Sequence, residues 1–232
     1  MLAGLRPSLA RPLERFHHAV TYAELLAHLS TAFSRPLPGA AAHALMAPRP
    51  RGEWPDDMAT RQYRAAAGLL LVFPRHNESH LILTVRSPHV RHGGQVSMPG
   101  GVVEPGESNV RAALREAHEE VAFTDTDVRV MGELTFVDIP VSGFRLHPVV
   151  ASLDRSPILR PSDGEVARIL EVPLSTLLDP AVVEWRTLTR GRMPLLAPAF
   201  VIDDAVIWGA TAMVLAELLS MLGWNGPDQQ RS

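Results

Sequence analysis

No cysteine occurs among the 232 residues, and no lysine; all 22 basic residues are arginine. The first absence excludes disulfides, thiol catalysis and zinc–thiolate sites. The second excludes a lysine nucleophile or Schiff base. A surplus of positive charge is also missing. The formal net charge is −3, which offers no basic field to a nucleic-acid polymer. The longest apolar run, Trp208 to Trp224, is interrupted by Glu217 and is too short to span a bilayer. The first fifteen residues spread Arg6, Arg11 and Arg15 around Ser8 and form no compact apolar segment of the secretory kind. A cytoplasmic protein with no membrane partner is the expectation.

What is present is a core-forming chain: 46% of its residues are hydrophobic and 20% charged. Residues 1–65 read as an N-terminal extension. Within it Thr21 to Phe33 forms an amphipathic helix, with Leu25, Leu26, Leu29 and Phe33 on one side. Residues 35–60 carry Pro36, Pro38, Pro48, Pro50 and Pro55 and read mostly as loop. Residues 66–225 read as one domain. Strands are expected at Ala66–Phe73, Leu81–Arg86, Val128–Leu134 and Leu146–Ser152. Asp163-Gly164 breaks the chain before an ordered stretch from Glu165 to Pro173, and Ile207–Leu222 reads as a long helix. Alternating strands and helices predict an α/β protein, a mixed sheet between helical layers.

The chemistry is concentrated between Gly101 and Phe123. Ser108 is a good N-cap, and Val110, Ala113, Leu114, Ala117 and Val121 recur at helical spacing, so one face of this helix is buried. Glu116, Glu119 and Glu120 then lie i,i+3 and i,i+4 apart and are expected together, away from that stripe. Three like charges repel, and a divalent cation offsets the repulsion; hard carboxylate oxygens suit Mg²⁺ or Mn²⁺. Pro105-Gly106 has the chemistry of a tight turn leading into the helix.

This segment resembles the Nudix box, Gly-x5-Glu-x7-Arg-Glu-apolar-x-Glu-Glu-x-Gly-apolar. Every defined position matches except the second glycine, which is Ala122. The resemblance implies an α-β-α sandwich and metal-assisted hydrolysis of a nucleoside diphosphate linked to another moiety. It gives Glu116, Glu119 and Glu120 to the metal, and Glu107 and Arg115 to an ion pair that ties loop to helix. The Gly101 carbonyl is a candidate for completing the metal shell. The base is a box glutamate or an acid from a later loop, for which Glu165 is the candidate.

Just before the box, residues 81–101 read LILTVRSPHVRHGGQVSMPGG. They resemble the segment upstream of the box in coenzyme A pyrophosphatases. The matching positions are Leu83, Thr84, Arg86, Ser87, Arg91, Gly94, Gln95, Val96, Pro99, Gly100 and Gly101; downstream, Pro140–Phe144, Glu171–Leu174 and Ile207–Thr211 match too. Met98 stands where phenylalanine is usual, and the stretch from Arg91 to Gly94 is one residue shorter. The implied substrate is coenzyme A or a derivative, with Arg86, Ser87, Arg91, Gly94 and Gln95 holding it. Guanidinium forks suit phosphate oxygens, and a glycine loop lets backbone approach them closely. His118 reads as solvent-facing, as do His89 and His92, with substrate contact as the alternative for those two. Trp208 and Phe144 read as core residues, with adenine stacking as the alternative. Two other readings stay open. One is hydrolysis of ADP-ribose, a dinucleotide or an oxidised nucleotide; the other is a Nudix module that binds a nucleotide without cleaving it. Oligomeric state is not legible.

Overall fold

The computed structural model describes residues 21–49, 62–90, 93–124, 126–190 and 193–227. Two helices come first, α1 (Tyr22–Phe33) and α2 (Ala40–Leu45). Thr21 caps α1 in a capping box with Glu24. The prolines around α2 had suggested loop. The alanine-rich sequence between them, free of proline, turns once and a half before Met46.

The sheet is built on β1 (Arg64–Arg75), which runs antiparallel to β2 (Glu78–Arg86) across a turn at His76 and Asn77, both at positive φ. The two strands pair only from Val72↔Leu81 to Arg75↔Glu78. Beyond that they part, and β3 (Val96–Ser97) fills the gap along β2 while β4 (Gly100–Val102) fills it along β1. On the far side of β1 lies β7 (Phe144–Ser152), in parallel, and against β7 lie β5 (Arg129–Glu133) and β6 (Val137–Ile139). Strand β8 (Val166–Pro173) closes the other edge along β2. A second sheet, not foreseen from the sequence, joins β9 (Val183–Arg190), β10 (Met193–Ile202) and β11 (Ala205–Ile207).

Strand alternation divides the core into two layers. Ala67, Leu69, Leu71 and Phe73 of β1 pack with α3 (Asn109–Val121) on one face. Leu70 and Val72 face the other way, into a cluster with Leu25 and Leu29 of α1, Met46 after α2, Leu174 and Leu177 of α4 (Leu174–Leu178), and α5 (Gly209–Met221). The sheet therefore lies between helical layers. No helix among the described residues is long and apolar enough to cross a membrane.

A carboxylate sits deep in the second layer. Glu217 of α5 is fully buried. It accepts hydrogen bonds from the Gly39 N–H at 3.0 Å, the Thr135 hydroxyl at 2.7 Å and N–H at 3.1 Å, and His43 Nε2 at 2.9 Å. The glutamate that interrupts the apolar run in sequence is thus the point where α5, the start of α2 and the β5–β6 connection are joined.

Candidate active site

Helix α3 begins where expected. Ser108 caps it through the Arg111 N–H, after Gly106 makes the preceding turn at φ 82°. It ends at Ala122, a left-handed residue (φ 53°, ψ 33°) in the position where the motif prefers glycine. Ala112, Ala113, Ala117 and Val121 are buried, with Val110 and Leu114 packed partly against them.

The three carboxylates are not equivalent, which corrects the expectation that all lie away from the buried stripe. Glu119 is exposed, Glu116 is half-buried, and Glu120 is buried. Glu120 is drawn in because its helix face rests on β4, and Gly100 offers a bare backbone there. The Gly100 N–H donates to Glu120 Oε2 at 3.3 Å. Gly101 makes room likewise: a methyl group on it would lie 2.4 Å from the Glu116 carboxyl carbon.

Arg115 is the hub of the site. Its Nε and Nη2 grip Glu107 at 3.1 and 3.0 Å, Nη2 also donates to the Val102 carbonyl at 2.9 Å, and Nη1 reaches Glu116 at 2.8 Å and Glu119 at 3.5 Å. Loop, strand and helix are pinned by one guanidinium. Glu107 is held below the usual carboxylate range by that hydrogen bond first. Burial pushes Glu120 up to about 7, opposed by the Gly100 N–H and by the charge of Arg86 and reinforced by Glu116 and Glu165. Burial also raises Glu116, against the pull of Arg115 and with further help from Glu119 and Glu165.

Those couplings place Arg86 and Glu165 in the field of the carboxylates. Arg86 ends β2, and Glu165 immediately precedes β8. The buried Ser87 donates its N–H to the Glu165 carbonyl at 2.8 Å. The Arg86 N–H donates to the Gln95 carbonyl and the Gly94 N–H to the Arg86 carbonyl, both at 2.9 Å, closing the loop between them. Gly94 needs its glycine, at φ 78°, whereas Gln95 is exposed. Thr211 of α5 donates its hydroxyl to the Val96 carbonyl at 3.1 Å and ties the end of this loop to the opposite helical layer. Arg91 and His92 lie outside the described residues; His89 and His118 are exposed as expected. Phe144 lies under the Arg64 guanidinium at 5.2 Å, and Trp208 is half-buried at the start of α5.

An open groove of about 520 Å³ runs beside the site, between Arg64 and Ala65 on one side, Val102 to Pro105 on another, and Arg115 with Glu116 at its end. Among the described residues no group of three or more histidine, aspartate or glutamate side chains is arranged as a ready metal cage. Glu116 and Glu119 are turned toward Arg115 instead. The donor set still fits a hard divalent cation. It is all carboxylate oxygen, and burial leaves Glu120 without a full countercharge.

A glutamate-bearing helix, cross-braced by one arginine and lying on the split between two strands of a mixed sheet, defines a Nudix domain. The NUDIX domain family matches residues 62–189 of this chain. The chain is 35% identical over 154 residues to the uncharacterized Nudix hydrolase NudL of Yersinia enterocolitica, covering 66% of this chain and 78% of that protein. It is 36% identical over 166 residues to NudL of Escherichia coli, covering 71% and 85%. Among solved structures, the Nudix hydrolase RenU of M. smegmatis is similar at 26% identity over 47% of this chain and 70% of that one, with a TM-score of 0.42. The chain belongs to the Nudix hydrolase family.

Proposed function

We propose that this Nudix hydrolase cleaves the pyrophosphate bond of coenzyme A or its derivatives, giving 3′,5′-ADP and 4′-phosphopantetheine. The observation that carries the reading is the course of residues 81–101. The segment that resembles the coenzyme A pyrophosphatases leaves β2 at Arg86, loops to Gln95, and returns through β3 and β4 beneath α3. Its one described arginine acts on Glu120, and its Ser87 is bonded to the backbone of Glu165. What supports the reading is that Arg86 and Ser87 of this similar segment adjoin the box carboxylates and Glu165.

In this account Glu116, Glu119 and Glu120 hold Mg²⁺ or Mn²⁺. When bound, the cation neutralises the anhydride and lowers the pKa of a bound water. Arg86 and Arg91 bind phosphate oxygens, with the Gly94–Gln95 backbone close by. Glu107 and Arg115 keep the loop registered on the helix. Glu165, exposed and within the field of Glu116 and Glu120, is the candidate to take a proton from the attacking water, with a box glutamate as the alternative. Incubation with coenzyme A, ADP-ribose and NADH in Mg²⁺ or Mn²⁺, with the products separated, tests the reading. Coenzyme A should be consumed fastest. Preference for ADP-ribose or NADH moves the assignment to another nucleoside diphosphate derivative, and no turnover of any of them leaves a binding module.

A further inference from the structure

On the face of the sheet that α3 covers, one arginine stands between two aromatic rings. Arg145 and His147 belong to the same face of β7 as Val149 and Ala151, which pack with α3. The Arg145 guanidinium lies 4.1 Å from the centre of the Phe136 ring and 5.8 Å from that of Tyr63. Asp138 holds it from the side, accepting from Nε at 2.7 Å and Nη2 at 3.0 Å. This grip fixes the guanidinium and leaves Nη1 open to solvent. The Phe136 ring, 44% exposed, also meets His147 at 6.0 Å. The Tyr63 hydroxyl is buried and has no hydrogen-bond partner among the described residues.

Three things set this cluster apart from ordinary surface packing. A large apolar ring is held out to solvent, a cation gripped by Asp138 braces it, and a buried hydroxyl with no partner among the described residues lies beside it. Aromatic rings and guanidinium planes are the surfaces on which nucleobases stack. The cluster is also continuous with the groove. Ala65, which lines the groove, is the register partner of Arg145 on β7, and on its other side the Val103 N–H donates to the Ala65 carbonyl at 3.0 Å. One row thus crosses the sheet from Val103 through Ala65 to Arg145 and Asp138. The small side chain of Ala65 raises no wall between them. Two strand spacings, about 10 Å, separate β4 from β7, a span that an extended nucleotide covers.

We propose that Phe136, braced by Arg145, is the platform on which the substrate's nucleobase stacks while its anhydride lies at Glu116 and Glu120. This deepens the proposed function and rests on it in taking the ligand to be a nucleotide. The burial-lowered basicity of His147 is consistent with a neutral ring beside the base.

The test is calorimetric binding of 5′-AMP and of ribose 5-phosphate, which lacks the base, to wild type, Phe136→Leu and Phe136→Trp. Base stacking on one ring changes affinity by about tenfold or more. Wild type should therefore prefer 5′-AMP by about that factor, Phe136→Leu should lose most of the preference, and Phe136→Trp should keep it. Equal binding of the two ligands to wild type, no binding of 5′-AMP, or an undiminished preference in Phe136→Leu overturns the proposal. An unchanged melting temperature shows that the leucine variant is folded; if it is not, the wild-type comparison and Phe136→Trp decide. Wild type that shows the base preference and hydrolyses no phosphoanhydride would sink the proposed function and leave the platform standing.

Discussion

Gly101 lies so close to Glu116 that a single methyl group on it would overlap the carboxylate, at 2.4 Å from its terminal carbon. The glycine that opens the motif makes room for the Glu116 carboxylate, and positive φ is not the reason. Gly100, one residue earlier, is crowded differently: its added methyl would meet the Ala67 carbonyl oxygen at 2.3 Å and the Gly68 Cα at 2.7 Å.

The contrast predicts a split between two neighbouring alanine variants. In Gly101→Ala the obstacle is the end of a flexible side chain, so Glu116 moves and the fold survives. Its melting temperature should stay near wild type while kcat falls about a hundredfold, the scale of a 1 Å misplacement. Gly100→Ala must push β4 off β1 and should cost about 3 kcal/mol or more. Thermal melts and kcat for both variants check this; a stable, active Gly100→Ala or an active Gly101→Ala contradicts it.

Arg115→Ala removes the guanidinium shared by Glu107, Val102, Glu116 and Glu119. It should lower both the melting temperature and kcat, and Arg115→Lys should rescue neither fully, since an ammonium cannot reproduce the fork. A melting temperature unchanged in Arg115→Ala would show that the brace is not structural.

Much of this site was legible. The Ser108 cap, the Gly106 turn and the left-handed position at Ala122 are local, and local preferences survive into the fold. The strands at β1, β2, β5 and β7 followed from apolar runs. Burial of Glu120 was not legible, because it depends on Gly100 lying opposite, which only the β1–β4 pairing provides. The β9–β10 hairpin was missed because Pro194 and Pro198 argue against strands, yet both positions pair there. Thr211 was noticed only as part of a similar stretch; its bond to Val96 joins segments far apart in sequence. The Phe136–Arg145 stack was missed as well, although the alternation of Arg145 and His147 on β7 was a usable signal.

Glu217 gives the chain an acid-sensitive joint. Burial alone would push its carboxyl up, but hydrogen bonds from His43 and Thr135 outweigh burial and hold it below the usual carboxylate value. A depressed folded pKa contributes stability that is present above the unfolded value, ~4.3, and is lost as pH falls through the folded one. Glu217→Gln should therefore cost roughly 1–3 kcal/mol at pH 7 and flatten the acid limb of the stability curve. Denaturant melts from pH 3 to 8 measure it; parallel curves for wild type and variant would contradict the joint.

Glu120 has the opposite sign. Its folded pKa, about 7, exceeds its unfolded one, so folding favours the protonated form. The penalty is absent below the unfolded value and grows as pH rises toward 7, to roughly 3 kcal/mol. Without divalent ions, Glu120→Gln should melt higher than wild type at pH 8 and match it near pH 4. Mg²⁺ or Mn²⁺ should raise the wild-type melting temperature at pH 8, less so at pH 6, and leave the variant unmoved. The same variant should lose at least about a hundredfold in kcat, near 2.7 kcal/mol of barrier. A variant less stable than wild type at pH 8 in chelator, or active within threefold, would remove Glu120 from the metal set.

The proposed substrate is decided by kcat/KM for coenzyme A, dephospho-coenzyme A and ADP-ribose, measured side by side in Mg²⁺ or Mn²⁺. The 3′-phosphate distinguishes the first from the other two, and arginine is the only cationic side chain besides histidine that this chain has to read it. Losing one charge-assisted contact costs about 1.5–3 kcal/mol, or roughly ten- to a hundredfold. Coenzyme A should lead dephospho-coenzyme A by that factor, and Arg86→Ala or Arg91→Ala should shrink the lead. Equal efficiency on coenzyme A and dephospho-coenzyme A, or faster cleavage of ADP-ribose, would contradict the assignment.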